Sequence, residues 1–239
     1  MKLDFDTLKT IVFKGVCGSI LFFVSCSPMR KYTPTDREWA LPEIAAFETL
    51  DQQENYPKDA ILFLGSSSIR LWKTIKEDMA PYSVIQRGYG GAHFRDLVFF
   101  TERILADHSL QMVVCFVAND IKGTEDDATP NRVFRLFKVF VKQVREQYPE
   151  IPIMQIAITP TQSRWEFWDK INRVNKRIKA YCDNNLNLYY IDTVPTYLDE
   201  QGQPKPEWFV KDQLHLNETG YAVWSKIIKS EIEKVIPLP

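Results

Sequence analysis

Histidine is scarce, with three residues in a chain of 239, and the four cysteines form no CxxC pair. Neither HExxH nor any Cys/His cluster at metal-ligand spacing occurs, so no zinc site and no other metal is expected. An excess of charge of one sign is also missing: 30 Lys and Arg stand against 31 Asp and Glu. Nucleic-acid binding draws on clustered cations that neutralise phosphates, so that class of partner is excluded. No apolar run approaches the roughly 20 residues that span a bilayer. What is present is an ordinary globular composition, 45% hydrophobic, which excludes disorder, collagen and coiled coil. A chain of this length buries about 70–75% of its unfolded surface as a single domain, without needing disulfides. Cys115, in an apolar run, and Cys182, late in a helical segment, read as buried thiols.

The amino terminus reads separately from the rest. Residues 15 to 25 are uncharged and mainly apolar, and Lys2, Lys9 and Lys14 precede them. About eleven residues are too few for a transmembrane helix, but a basic flank, a short apolar core and small residues before a cysteine describe a signal peptide. The ending Phe23-Val24-Ser25-Cys26 resembles a bacterial lipobox with Phe in place of the usual Leu. That resemblance implies lipidation at Cys26, a membrane anchor and work at the cell envelope; the alternatives are a secretory cleavage nearby or an uncleaved anchor. Residues 27–40, with Pro28 and Pro34, then serve as a tether, and residues 41–239 form the folded domain.

Five apolar runs in that domain have strand character: Ile61 to Leu64, Ser83 to Gln86, Met112 to Ala118, Ile153 to Ile158 and Leu188 to Ile191. Helical periodicity covers about 41–54, 92–107, 131–148, 166–183 and 218–235; Phe134, Phe137, Val141 and Val144 carry it in the third of these. Alternating strands and helices, with strands apolar on both faces, predict a three-layer α/β/α, doubly wound fold around a five-stranded, mainly parallel sheet. Ligand-binding residues are then expected just beyond the carboxyl ends of the strands.

Four short motifs fall there. Gly65-Ser66-Ser67-Ser68 ends the first strand at a turn that exposes a hydroxyl, as a catalytic serine, a cap or a phosphate loop would. Gly88-Tyr89-Gly90-Gly91 follows the second strand and spends three of nine glycines, yet it lacks GxGxxG and the P-loop Lys. Asn119-Asp120 follows the third, where Asn can aim an amide into the crevice or merely turn the chain. Asp212-Gln213-Leu214-His215 precedes the last helix, with Asn217 as its N-cap; the carboxylate can orient the imidazole and leave its other nitrogen free as a base. Each has a bland reading as a turn, as do His93, His108 and Asp120; Trp165, Trp168 and Trp208 suit core or lid packing as well as sugar stacking.

In order, the four motifs resemble the sequence blocks of the SGNH/GDSL hydrolase superfamily over about residues 60 to 225, in the branch where Ser replaces the Asp of the GDS signature. The resemblance implies a flavodoxin-like fold and a serine esterase without cofactor. It puts the nucleophile on Ser67, the base on His215 and the orienting acid on Asp212. The oxyanion donors are then Ser67 N–H, Gly91 N–H and the Asn119 amide. Two residues depart from the family pattern: Ser66 stands for Asp, and Val117 for a glycine, where a branched side chain could narrow the pocket. With an envelope location, the implied substrate is a short-chain ester, foremost acetyl, on carbohydrate. Lysophospholipase or thioesterase activity, a non-catalytic envelope lipoprotein and a flavin-binding flavodoxin relative are the rival readings.

Overall fold

The computed structural model of the chain describes Tyr32, residues 34–105 and residues 108–238. The expected signal segment and Cys26 lie outside the described residues.

The strands are β1 (Ala60–Gly65), β2 (Val84–Gly88), β3 (Leu110–Phe116), β4 (Ile153–Ile156) and β5 (Leu188–Ile191). They form one sheet in the order β2-β1-β3-β4-β5, and every pairing is parallel. Each runs one or more residues off its sequence-predicted span except β5; the third ends at Phe116, so Val117 and Ala118 already belong to the loop.

Side chains of β1 alternate between two cores, as period two requires. Leu62 and Leu64 join Val113 and Cys115 beneath α1 (Leu41–Gln53), α4 (Phe94–Leu105), α5 (Pro130–Gln147) and α6 (Trp168–Cys182). Ile61 and Phe63 join Val114 and Phe116 on the other face, beneath α2 (Ser67–Arg70), α3 (Ile75–Asp78) and α7 (Glu218–Glu233). Both faces of the sheet are thus covered, giving the three expected layers. The short α3 was not resolved by periodicity, because four residues hold barely one turn. Cys115 and Cys182 are free and buried, as read from the sequence.

Local chemistry sets the long helices. In α5, the Thr129 hydroxyl accepts the Arg132 N–H, Pro130 takes the first turn, and Val133, Leu136, Phe137, Phe140, Val141 and Val144 form the buried stripe. In α7, the Asn217 side chain accepts the Gly220 N–H at 2.9 Å.

Residues Pro34–Ala40, read as the end of a tether, are a 3-10 helix on the domain surface. Ala40 is fully buried, and the Arg37 guanidinium lies 3.1 Å from the centre of the Phe99 ring. A tether would therefore end near Pro34 rather than at Ala40, because an Arg stacked on an aromatic face and a buried Ala are packed contacts.

Register brings the motifs to one edge. Gly65 pairs with Gly88 of β2 on one side and with Phe116 of β3 on the other, so the carboxyl ends of the three strands finish level. Gly65 must be glycine: its φ is +142°, and a Cβ would stand 1.9 Å from the Phe116 carbonyl oxygen. Chain order reverses between β1 and β3, the switch point at which α/β sheets open a crevice.

Candidate active site

Ser67 is the first residue of α2, one step beyond the extended Ser66 that leaves β1. Ser66 is buried; its N–H donates to Phe116 O at 2.9 Å, and its own carbonyl accepts the N–H groups of Ile69 and Arg70. The serine hydroxyl thus sits on a turn fixed from both ends, with its backbone N–H at the head of a helical turn, where no preceding carbonyl claims it.

The loop before α7 supplies the partners. Asp212 Oδ1 accepts the backbone N–H groups of Leu214 and His215, each at 2.9 Å, winding the loop into a tight turn with Gln213 at φ +53°. Asp212 Oδ2 receives His215 Nδ1 at 2.7 Å. An ionised carboxylate only accepts, so Nδ1 carries the proton and Nε2 of the neutral ring is left as an acceptor. Nε2 lies 2.9 Å from Ser67 Oγ. Burial pushes the Asp212 carboxyl up, but the hydrogen bonds from the His215 ring and the two backbone N–H groups outweigh this and hold it below its ordinary value. With 48% of its side chain exposed, Asp212 is partly screened by water, so orientation of the imidazole is its larger contribution.

Asn119 shares a small pocket with Ser67 and His215, closed by Thr159, Thr161 and Arg164. Its Nδ2 donates to Ala92 O at 2.9 Å, which leaves the second amide hydrogen for a ligand. Gly91, with φ +78°, is exposed and does not line this pocket; it reaches the site through its neighbour Ala92. The structure therefore joins Ser67, His215 and Asp212 in one hydrogen-bonded chain and puts Asn119 beside them, with Gly91 at the periphery.

Both departures from the family pattern are accommodated. Val117 is fully buried among the residues under α4 and α5, pointing away from the pocket rather than narrowing it. Ser66 lines the pocket but makes its turn through backbone bonds.

The residue that sequence reasoning missed is Arg164. Its Nη1 donates to Ala118 O at 2.5 Å and its Nη2 to Asn119 Oδ1 at 2.7 Å. Burial lowers its pKa from the ordinary guanidinium value. Nothing in Ser163-Arg164-Trp165 distinguishes it from a solvated cation. The other polar candidates take the bland reading. His93 Nδ1 meets Asp96 Oδ2 at 2.9 Å, and Asp120 Oδ2 accepts the Phe94 N–H at 2.9 Å, so both organise the start of α4. Trp165 stacks on Trp168 at 5.7 Å, and Trp208 packs edge-on to Tyr197 at 4.8 Å. The indole left 45% exposed is Trp39, whose ring faces Gly91. Among the described residues, no three His, Cys, Asp or Glu side chains are grouped to hold a metal ion.

A hydroxyl, an imidazole aimed at it, a carboxylate behind the imidazole and an amide lining the same pocket, set on an α/β/α fold, are an arrangement able to carry out acyl transfer through the hydroxyl. The GDSL-like Lipase/Acylhydrolase family matches residues 65–223, more than half of the sequence, and the chain belongs to that family of carboxylic ester hydrolases. No curated protein matches it. Solved structures of similar fold include a GDSL-like lipase from Bacteroides thetaiotaomicron, 18% identical with a TM-score of 0.67, the match covering 81% of this chain and 100% of that one. A carbohydrate esterase family 3 protein from Talaromyces cellulolyticus is 14% identical with a TM-score of 0.56, covering 74% and 97%. An acetyl xylan esterase is 19% identical with a TM-score of 0.57, covering 72% and 99%. At these identities the likeness is one of fold.

Proposed function

We propose that the chain hydrolyses acetyl and other short-chain esters of carbohydrate alcohols through an acyl-enzyme on Ser67. His215 Nε2 takes the serine proton as Oγ bonds to the ester carbonyl carbon, and Asp212 holds the imidazolium that forms. The carbonyl oxygen becomes an oxyanion, for which Ser67 N–H and the free Asn119 amide hydrogen are the donors nearest the pocket, with Gly91 N–H as the third. Such a donor contributes roughly 3–4 kcal/mol in the transition state. The imidazolium returns its proton to the alcohol as the C–O bond breaks. Water, deprotonated by the same nitrogen, then releases the acid.

The observation that carries this reading is the small size of the space around Ser67. The pocket holding Ser67 and Asn119 has a volume of about 20 Å³. A site holding one water needs about 10–15 Å³, so the pocket has room for little more than a methyl-sized group. A separate open groove of about 760 Å³, lined by Leu71, Lys73, Val210, Asp212 and Tyr221, borders His215 on its Asp212 side. A small acyl group fits the confined pocket around Ser67. Support for a sugar comes from the exposed indole of Trp39 beside Gly91, since aromatic faces stack on sugar rings, and from acetyl xylan and carbohydrate esterases with the same fold. The cell-envelope reading belongs to the same proposal: a signal in residues 1–26, lipidation of Cys26 and a tether behind it.

A chain-length series of aryl esters tests the acyl assignment. Acetate should be cleaved at least about ten-fold faster than octanoate, one order of magnitude being about 1.4 kcal/mol of barrier. Faster cleavage of the long chain would favour a lysophospholipase or thioesterase instead. Labelling of growing cells with a fatty acid, followed by recovery of the lipid on wild type but not on Cys26→Ser, tests the anchor.

A further inference from the structure

Arg164 is an unusual group to find in this pocket. It is a largely buried cation, and its acidic neighbours Asp127 and Asp120 act on it through space rather than through contact. Its two short bonds instead go to a neutral carbonyl and a neutral amide, Ala118 O and Asn119 Oδ1. Burying a charge without an ion-pair partner costs stability, and a neutral donor could fill the same space without that cost.

We propose that Arg164 is a positioning residue for the oxyanion donor, holding Asn119 so that its free amide hydrogen faces the ester carbonyl, and strengthening that hydrogen as a donor. The inference rests on the serine-esterase reading above. A guanidinium only donates, so its contact fixes the Asn119 atom facing it as oxygen and the other as nitrogen. Ala92 O, which only accepts, reads the nitrogen from the far side at 2.9 Å. The amide is thereby gripped at both ends, with one hydrogen uncommitted. A charge-assisted bond to the amide oxygen draws electron density from the nitrogen and makes that hydrogen a better donor, more so in a site with little water.

The elements carrying the two residues are locked together. Arg164 sits in the 3-10 helix Gln162–Phe167, and Asn119 opens the loop after β3. In that loop the Asp127 carboxylate collects the N–H groups of Lys122, Gly123 and Thr124 at 2.8 to 3.2 Å. Gly123 lies so close to the Phe167 ring that a Cβ would stand 2.1 Å from it. The guanidinium thus reaches Asn119 across a fixed gap, so its bond orients the amide rather than following it.

A double-mutant cycle in the full chain, with an aryl acetate as substrate, tests this. Arg164→Met should lower kcat by about 10²-fold and leave KM within about three-fold, the pattern of an interaction that matters only in the transition state. Arg164→Lys, which keeps the charge but loses the planar fork, should fall between Met and wild type, and it carries the cycle if Met does not fold. Asn119→Ala alone should cost about 10²–10³-fold, and adding either Arg164 substitution to it should cost less than about three-fold more. Overturning results are an Arg164 variant within three-fold of wild type, or losses that multiply in the double variant. A failure of the esterase reading would show otherwise, as absent hydrolysis by wild type or undiminished hydrolysis by Ser67→Ala.

Discussion

His215 Nε2 stands 2.9 Å from Ser67 Oγ across 148 residues of sequence. No local interaction brings them together. Ser67 is fixed by the carboxyl end of β1, and His215 by the Asp212 turn that leads into α7; α7 packs under the same face of the sheet as α2. The imidazole is aimed because its other nitrogen is held by Asp212 at 2.7 Å.

Asp212→Asn should therefore separate orientation from folding. An amide nitrogen can face Nδ1 and force the imidazole into the tautomer that cannot accept from Ser67. Turnover should drop by about 10³–10⁴-fold, with KM little changed. Because Asp212 is held below the ordinary carboxylate value, it stays ionised throughout the working range and should not set the acid limb of the wild-type pH–rate profile. Steady-state kinetics against pH check both statements.

Asp120 gives a prediction for stability. Burial raises its pKa to about 6, against opposing effects from the His93 charge and the Phe94 N–H. An acid raised in this way is better accommodated protonated: its contribution is fullest below the unfolded carboxylate range and is lost as pH rises through about 6. Asp120→Asn keeps an acceptor for Phe94 and removes the titration. Relative to that variant, wild type should lose on the order of 3 kcal/mol of stability between about pH 4 and pH 7, measured by urea unfolding. A pH-independent difference would count against a buried, ionised Asp120.

The sugar assignment has its own probe in Trp39. Trp39→Ala should raise KM for an acetylated xylo-oligosaccharide by about ten-fold, the loss of one aromatic stacking contact. Hydrolysis of a small aryl acetate, which does not extend to the indole, should stay within about two-fold. Equal effects on both substrates would mean that Trp39 supports the Gly91 turn and does not bind a sugar.

What could be read from sequence follows from the range of the interactions. The apolar run Ile61 to Leu64 announces a buried strand because burial on both faces leaves no room for polar residues. Asn217 marks the start of the last helix because caps are local. The hydrogen-bonded set of Ser67, His215 and Asp212 could be anticipated only because four motifs came in a recognisable order. Arg164 was not, since its meaning lies in a partner 45 positions away. The packing of Pro34–Ala40 was hidden for a related reason: a proline-flanked polar segment reads as a tether until Ala40 is seen buried and Arg37 lies over the Phe99 ring. Gly91 shows the opposite limit, because a glycine-rich turn signals special backbone without saying which N–H faces the ligand.

The central claim, that Ser67 is the nucleophile, is tested most directly by the rate of aryl acetate hydrolysis in Ser67→Ala, with Ser66→Ala and Ser68→Ala beside it. The expected result is a loss of about 10⁴-fold or more in the folded Ser67 variant alone. Turnover by folded Ser67→Ala within ten-fold of wild type would contradict the account.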